Sequence, residues 1–328
     1  MKAHPPVSLS DIKPDLAIEA HEMFQGQHEG EIPGVSLVKE NFSLGCRSTI
    51  KVLDDQGAQA MGKPIGTYIT IEAPTILDSD RSDHEPVVEA LVKALKEILP
   101  DKEQYTILVA GLGNARSTPD ALGPMVTSRL VATRYLFTLN DPAMTEGLRS
   151  VSIITPGVTG VTGVETAEIL EGLISQMQPD CLICIDALAA GELSRLHNTI
   201  QLSDTGIHPG SGIGNMRKRI NKETVGIPVL AIGVPTVVQA GIIANKALTI
   251  LTDRLEHTGD KSSMPLLITQ KQREEVINEI LQPFGGSLMV TPKEIDEQVD
   301  HTAQIIAKAI TLAVHPGLEP EDLEYFLH

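Results

Sequence analysis

The chain has 328 residues, 41% of them hydrophobic, and a formal net charge of −17. That is enough apolar material for one large domain or two modest ones and excludes a globally disordered chain, while the acidity opposes a phosphate backbone, so no direct nucleic-acid partner is expected. No apolar run approaches the roughly 18–20 residues of a membrane span, three cysteines in so long a chain point to a reducing compartment, and Met1–Val7 lacks the apolar core of a secretory signal; a cytoplasmic protein is expected.

Residues 1–33 are polar and rich in His, Glu and Pro, and read as a loosely attached arm. Arg47–Leu53 alternates and Ile65–Ile71 is β-branched, so two strands are expected, as a hairpin or as edge strands, with Asp54–Gly57 as the turn between them. His84–Leu99 carries Val87, Val88, Leu91, Leu95 and Ile98 at helical spacing. Thr106–Ala110 is an apolar strand, and Pro119–Leu136 reads as a helix with Leu122, Val126, Leu130 and Tyr135 inward. Strands at Val151–Thr155, Leu182–Ile185, Ile200–Leu202 and Val229–Ile232 alternate with helices at Val164–Met177 and Val237–Leu255. Helices at Gln270–Gln282 and Lys293–Val314 close the chain as a helical appendage. Strands alternating with helices predict an α/β three-layer sandwich with a mostly parallel central sheet, preceded by N-terminal strands. Residues 15–328 are expected to form one domain.

The first chemical signal is Gly111-Leu-Gly-Asn114, a turn directly after a strand. Glycine there lets the backbone approach something closely. It does not match a phosphate fingerprint: Arg116 stands where a third glycine is needed, and no Walker lysine follows. Asp120 ends Ser117-Thr-Pro-Asp and fits a capping box. Asp186 ends the apolar run Leu182-Ile-Cys-Ile185, where an ionised carboxylate is poorly solvated. Both aspartates lie beyond the carboxyl ends of strands, where open α/β sheets bind ligands. On neighbouring strands they could share a proton, Asp120 ionised and Asp186 neutral, one activating water while the other polarises a carbonyl.

Other features carry less. Cys181 and Cys184 form C-x-x-C, but i and i+3 on a strand face opposite ways, so buried structural thiols are expected. Thr155–Gly163 is a second glycine-rich connection at the same rim, followed by Glu165. The His208–Asn215 loop offers His208, Ser211, Gly212 and Asn215 as substrate contacts, with no second metal ligand close to His208. No G-x-S-x-G or H-E-x-x-H motif occurs.

Taken together, 111–124, Pro156–Thr166, Ile185–Ala190, His208–Asn215 and Ile232–Val238 resemble the germination protease family of spore-forming bacteria, as do Met61-Gly-Lys-Pro64 and Tyr68–Glu72. The resemblance implies an endopeptidase, with no cofactor, that starts the breakdown of small acid-soluble spore proteins on germination, in the forespore and spore core. It implies a zymogen that loses a short N-terminal propeptide by self-cleavage and assembles as a homotetramer. Asp11–Glu19 matches the family's processing region, so residues 1–14 form the candidate propeptide and cleavage is expected near Pro14–Asp15. The family's catalytic aspartates fall on Asp120 and Asp186. Its fold is similar to that of hydrogenase-maturation endopeptidases, which hold a metal with acids at this rim; no metal site is carried over. Gln239 and Ala115 depart from the pattern, which has an acid and an aromatic residue there. A metal-dependent endopeptidase and a non-enzymatic nucleotide- or partner-binding module are the competing readings.

Overall fold

The computed structural model describes residues 14–27, 30–77, 84–102, 104–139, 141–210, 217–257 and 269–318. Its strands are β1 Val35–Phe42, β2 Gly45–Val52, β3 Gly66–Glu72, β4 Thr106–Gly111, β5 Ser150–Ile154, β6 Cys181–Ala190, β7 Thr199–Ser203, β8 Val229–Gln239 and β9 Met289–Val290. They form one sheet ordered β1-β2-β3-β7-β8-β6-β4-β5, with β9 pairing the end of β8. Pairing is parallel among β8, β6, β4 and β5 and antiparallel elsewhere. β4 and the Cys181–Ile185 half of β6 are almost continuously apolar because helices cover both of their faces.

The helices are α1 Ala17–Gln27, α2 Asp55–Met61, α3 Glu85–Ile98, α4 Leu122–Thr127, α5 Pro142–Thr145, α6 Thr159–Thr162, α7 Thr166–Met177, α8 Lys222–Val225, α9 Ala240–His257, α10 Gln270–Leu281 and α11 Ile295–Val314. One face of the sheet packs on α3, α4 and α11, the other on α7 and α8. The apolar stripe of α3, from Val87 to Leu95, turns inward as its spacing predicts. Cys181 and Cys184 are free, buried, and on opposite faces of β6. Of the two C-terminal helices, α10 lies along α9, whereas α11 is woven into the main core through Val299, Ile306 and Ile310.

Several expectations are corrected. From residue 14 the arm is docked, not loose: Leu16, Ala17 and Ile18 are buried against Ile50, Val52 and Tyr68. Asp54–Gly57 opens helix α2 instead of a turn, because the Asp54 side chain accepts the Gly57 N–H at 2.8 Å and caps it. The hairpin is β1–β2; the polar run that forms β1 shows little alternation. The helix expected at Pro119–Leu136 shrinks to a 3-10 turn at Thr118–Asp120 followed by α4. Beyond α4 the Thr133 side chain bonds Arg149 O and Val151 N, which draws the chain onto β5 and leaves Tyr135 exposed.

Candidate active site

The parallel strands set the place. From β4 the chain passes to β5 on one side; β6 and β8 then add on the other. The seam between β4 and β6 is therefore a topological switch point, where connections diverge and leave a crevice. Leu112 and the turn to Asp120 leave one side of that seam, and Asp186 stands on the other.

Asp120 is carried by the Thr118–Asp120 turn. Ser117 provides no side-chain cap, so the expected capping box is absent. The turn is closed by Asp120 N–H to Ser117 O at 2.8 Å, and Asn114 N–H reaches Asp120 O at 2.9 Å. Gly113 has φ +102, and a Cβ there would lie 2.1 Å from the Asp120 carbonyl oxygen. The glycine turn is thus shaped by the chain's own backbone. The N–H groups of Leu112 and Asn114 are taken by Ile185 and Asp120, which leaves neither for a phosphate. Gly111 ends β4 against the Gly123 carbonyl, and the Asn114 side chain accepts the Arg116 N–H at 3.0 Å.

Asp186 does not end its strand. β6 runs on to Ala190, and Asp186 pairs with Gly233 of β8 inside the sheet. It is 5% exposed, and its carboxylate accepts its neighbour Ala187's N–H at 3.0 Å. Burial pushes the Asp186 carboxyl well above its ordinary range, the Asp120 charge pushes it further and Asp15 adds to the rise, against the Ala187 N–H. Asp120 is half-buried and is raised by burial, offset by the Asn114 N–H and by the Arg217 guanidinium. The environments separate the two acids: burial and a neighbouring negative charge favour the neutral form of Asp186, while Asp120 has a cation nearby that offsets its burial.

The N-terminal segment reaches the same crevice. Asp15 accepts the Ala189 N–H at 3.0 Å, three residues beyond Asp186. Lys63 Nζ holds the carbonyls of Pro14 and Asp15 at 2.8 and 2.7 Å. Gln201 of β7 accepts the Ala17 N–H at 2.5 Å. Glu19, 3% exposed, accepts N–H groups of Gly191 and Glu192, and burial raises its carboxyl to about 7. His208 is half-buried next to the Ile207–Ile220 bridge; Ser211, Gly212 and Asn215 lie outside the described residues.

Sequence reasoning passed over Arg217, which donates to Thr159 and lies 3.9 Å from Glu165. It also passed over Thr236, whose hydroxyl donates to Pro119 O at 2.6 Å. Arg217 has no local signal; Pro235-Thr236 does, since a proline inside an apolar strand marks an interrupted ladder. Among the described residues no three His, Cys, Asp or Glu side chains converge to hold a metal ion. No helix among them is long and apolar enough to cross a membrane.

The site thus sets a buried carboxyl, raised by burial and by the charge of a second acid, at the switch point of an α/β sheet, where such sheets bind ligands. A profile of the germination protease family matches residues 17–266 and 256–327. The chain is 45% identical to the germination protease of Caldanaerobacter subterraneus subsp. tengcongensis, over 97% of this chain and 98% of the relative. It is 42% identical to that of Clostridium tetani (97% and 99%) and 37% identical to that of Bacillus mycoides (98% and 99%). A solved NiFe hydrogenase maturation protease from Thermococcus kodakarensis KOD1 is similar at 17% identity and a TM-score of 0.35, covering 66% of this chain and 98% of that one. The chain belongs to the germination protease family. It is an endopeptidase with a role in spore germination.

Proposed function

We propose that the enzyme cleaves small acid-soluble spore proteins with water activated by the Asp120–Asp186 pair. The observation that carries this reading is the placement of both acids at the end of the β4–β6 seam, with Asp186 buried and its carboxyl raised by burial and by the Asp120 charge. Asp120, ionised, takes a proton from water as the oxygen attacks the scissile carbonyl carbon. Asp186, neutral, donates a hydrogen bond to the carbonyl oxygen as charge develops there. Collapse of the tetrahedral intermediate breaks the C–N bond and passes the proton held by Asp120 to the leaving amine.

The same site is proposed to cut its own chain at Pro14–Asp15, releasing residues 1–14. Lys63 and Gln201 support this by holding the Pro14 and Asp15 carbonyls, with the Asp15 carboxylate bonded to the strand that carries Asp186. The enzyme would act in the forespore and spore core, as a homotetramer. Exposed Ile250, Leu251, Ile280 and Phe284 on and after α9 and α10 give apolar surface for such an assembly to cover. D120N and D186N are each expected to lower cleavage of a small acid-soluble spore protein by about 10³-fold or more, by analogy with losses on removing a catalytic triad member. Circular dichroism should remain unchanged. Parental activity in either variant would overturn the pair.

A further inference from the structure

The β6–β8 ladder is interrupted beside the crevice. Leu188 pairs with Pro235 and Ala189 pairs with Val237, so Thr236 is an extra residue with no partner on β6. Such a bulge re-aims the side chain of the residue it frees. Here that side chain is 1% exposed and donates its hydroxyl hydrogen to Pro119 O at 2.6 Å. The receiving carbonyl belongs to the peptide unit whose N–H is that of Asp120, already bound to Ser117 O at 2.8 Å. The peptide that carries Asp120 is therefore held at both of its polar ends, by its own turn and by β8.

The bulge is braced from two sides. His197 donates its backbone N–H to Pro235 O at 2.9 Å, and its ring Nε2 lies 3.1 Å from Thr236 O. A carbonyl only accepts, so Nε2 carries the hydrogen. Nδ1 is then bare and has no partner among the described residues. His197 reaches this position with φ 61, a left-handed conformation costly for a non-glycine residue, while 1% exposed. Thr291, next to β9, donates its hydroxyl to the same Thr236 carbonyl at 2.9 Å. A strained histidine and a threonine from the far end of the chain thus converge on one bulged residue, which in turn holds the turn of Asp120.

We propose that Thr236 is a positioning residue: aimed by a bulge that His197 and Thr291 brace, its hydroxyl fixes the Pro119–Asp120 peptide over β6 and so sets the separation of the two carboxyls. The inference rests on the acid-pair reading of the site. It is tested by steady-state cleavage of a small acid-soluble spore protein across pH by T236V, T236S and T291V, with D120N in parallel. T236V is expected to lose about 10–100-fold in kcat, the scale of a small misplacement at a reacting centre, with KM within about 2-fold of the parent. T236S should recover most of that loss, and T291V should show a smaller loss in kcat. The pH profile separates positioning from general damage. Asp186 faces Asp120 and Asp15, and Asp120 faces Arg217; if Asp120 drifts away, Asp186 loses part of its upward push, and the alkaline limb moves to lower pH. Should T236V fail to fold, T291V decides alone, a lower kcat with the shifted limb supporting the proposal and a parental profile overturning it. A folded T236V with parental kcat and profile, next to an inactive D120N, overturns the positioning role alone. An active D120N overturns the acid pair beneath it.

Discussion

Leu112 donates its N–H to the carbonyl of Ile185 at 2.8 Å, the last hydrogen bond across the β4–β6 seam. Beyond it one chain turns through Gly113 and Asn114 toward Asp120, while the other continues as Asp186. Gly123, in the first turn of α4, sits on both: a Cβ there would lie 2.3 Å from Leu112 O and 2.5 Å from Ile185 O. The three residues fix the mouth of the crevice.

Gly123→Ala should therefore force backbone atoms apart. The expected cost is about 3 kcal/mol, the upper part of the range for overpacking. Urea unfolding of the purified variant measures it, and a loss below about 1 kcal/mol would mean that the seam yields.

Arg217 lowers Asp120 against the effect of burial. Its replacement by Met should raise the Asp120 carboxyl, so the acid limb of the rate profile moves to higher pH; Lys should restore much of the parental position. An acid limb unmoved in Arg217→Met would detach the guanidinium from Asp120.

Glu19 gives stability a pH dependence of known sign. Its carboxyl rises from 4.5 to about 7 on folding, so between those values the folded chain keeps a proton that the unfolded chain has released. Its contribution is complete below about 4.5 and is lost as pH rises through about 7. Buried His197 and His315, both lowered to about 4, act in the opposite direction over much of that range. The Glu19 share is read as the difference between Glu19→Gln and the parent in melting temperature at pH 4.5 and pH 7.5. The gap between the two proteins should change in the parent's favour toward acid pH, and a constant gap would refute the assignment.

Lys63 holds the carbonyl of the proposed processing bond, that of Pro14, and the next one along, that of Asp15. Lys63→Ala should slow release of residues 1–14 by roughly 10-fold, a misplacement effect, followed by mass spectrometry of the maturing protein. Cleavage of an added spore protein by already processed enzyme should change little, and an equal loss in both reactions would assign Lys63 a wider role.

Much of the parallel centre is legible in the sequence because its strands are short apolar runs punctuated by glycine, a local signal that survives in any context. Where tertiary contacts decide, the reading departs from the structure. β1 is polar enough to pass as coil, and α2 depends on one capping aspartate, Asp54. The arm looks loose because three apolar residues, Leu16, Ala17 and Ile18, find their partners on distant strands. At the site, both aspartates are visible as strand-end acids, but Asp186 turns out to be embedded in a strand that continues past it. Arg217 comes into view only once the residues after the His208 loop are folded against the Asp120 turn, and for Thr236 the proline before it marks an interrupted strand but not the bond to Pro119.

The turn that presents Asp120 packs on α11, the last long helix of the chain. Synthesis runs from the N-terminus, so while Ile295–Val314 is still inside the ribosome that turn lacks one of the surfaces it rests on. The strands β1–β3 likewise wait for β7 to join them to the rest of the sheet. On the proposed reading, the cutting site is therefore fully supported only after nearly all of the chain has emerged, which restrains cleavage during synthesis.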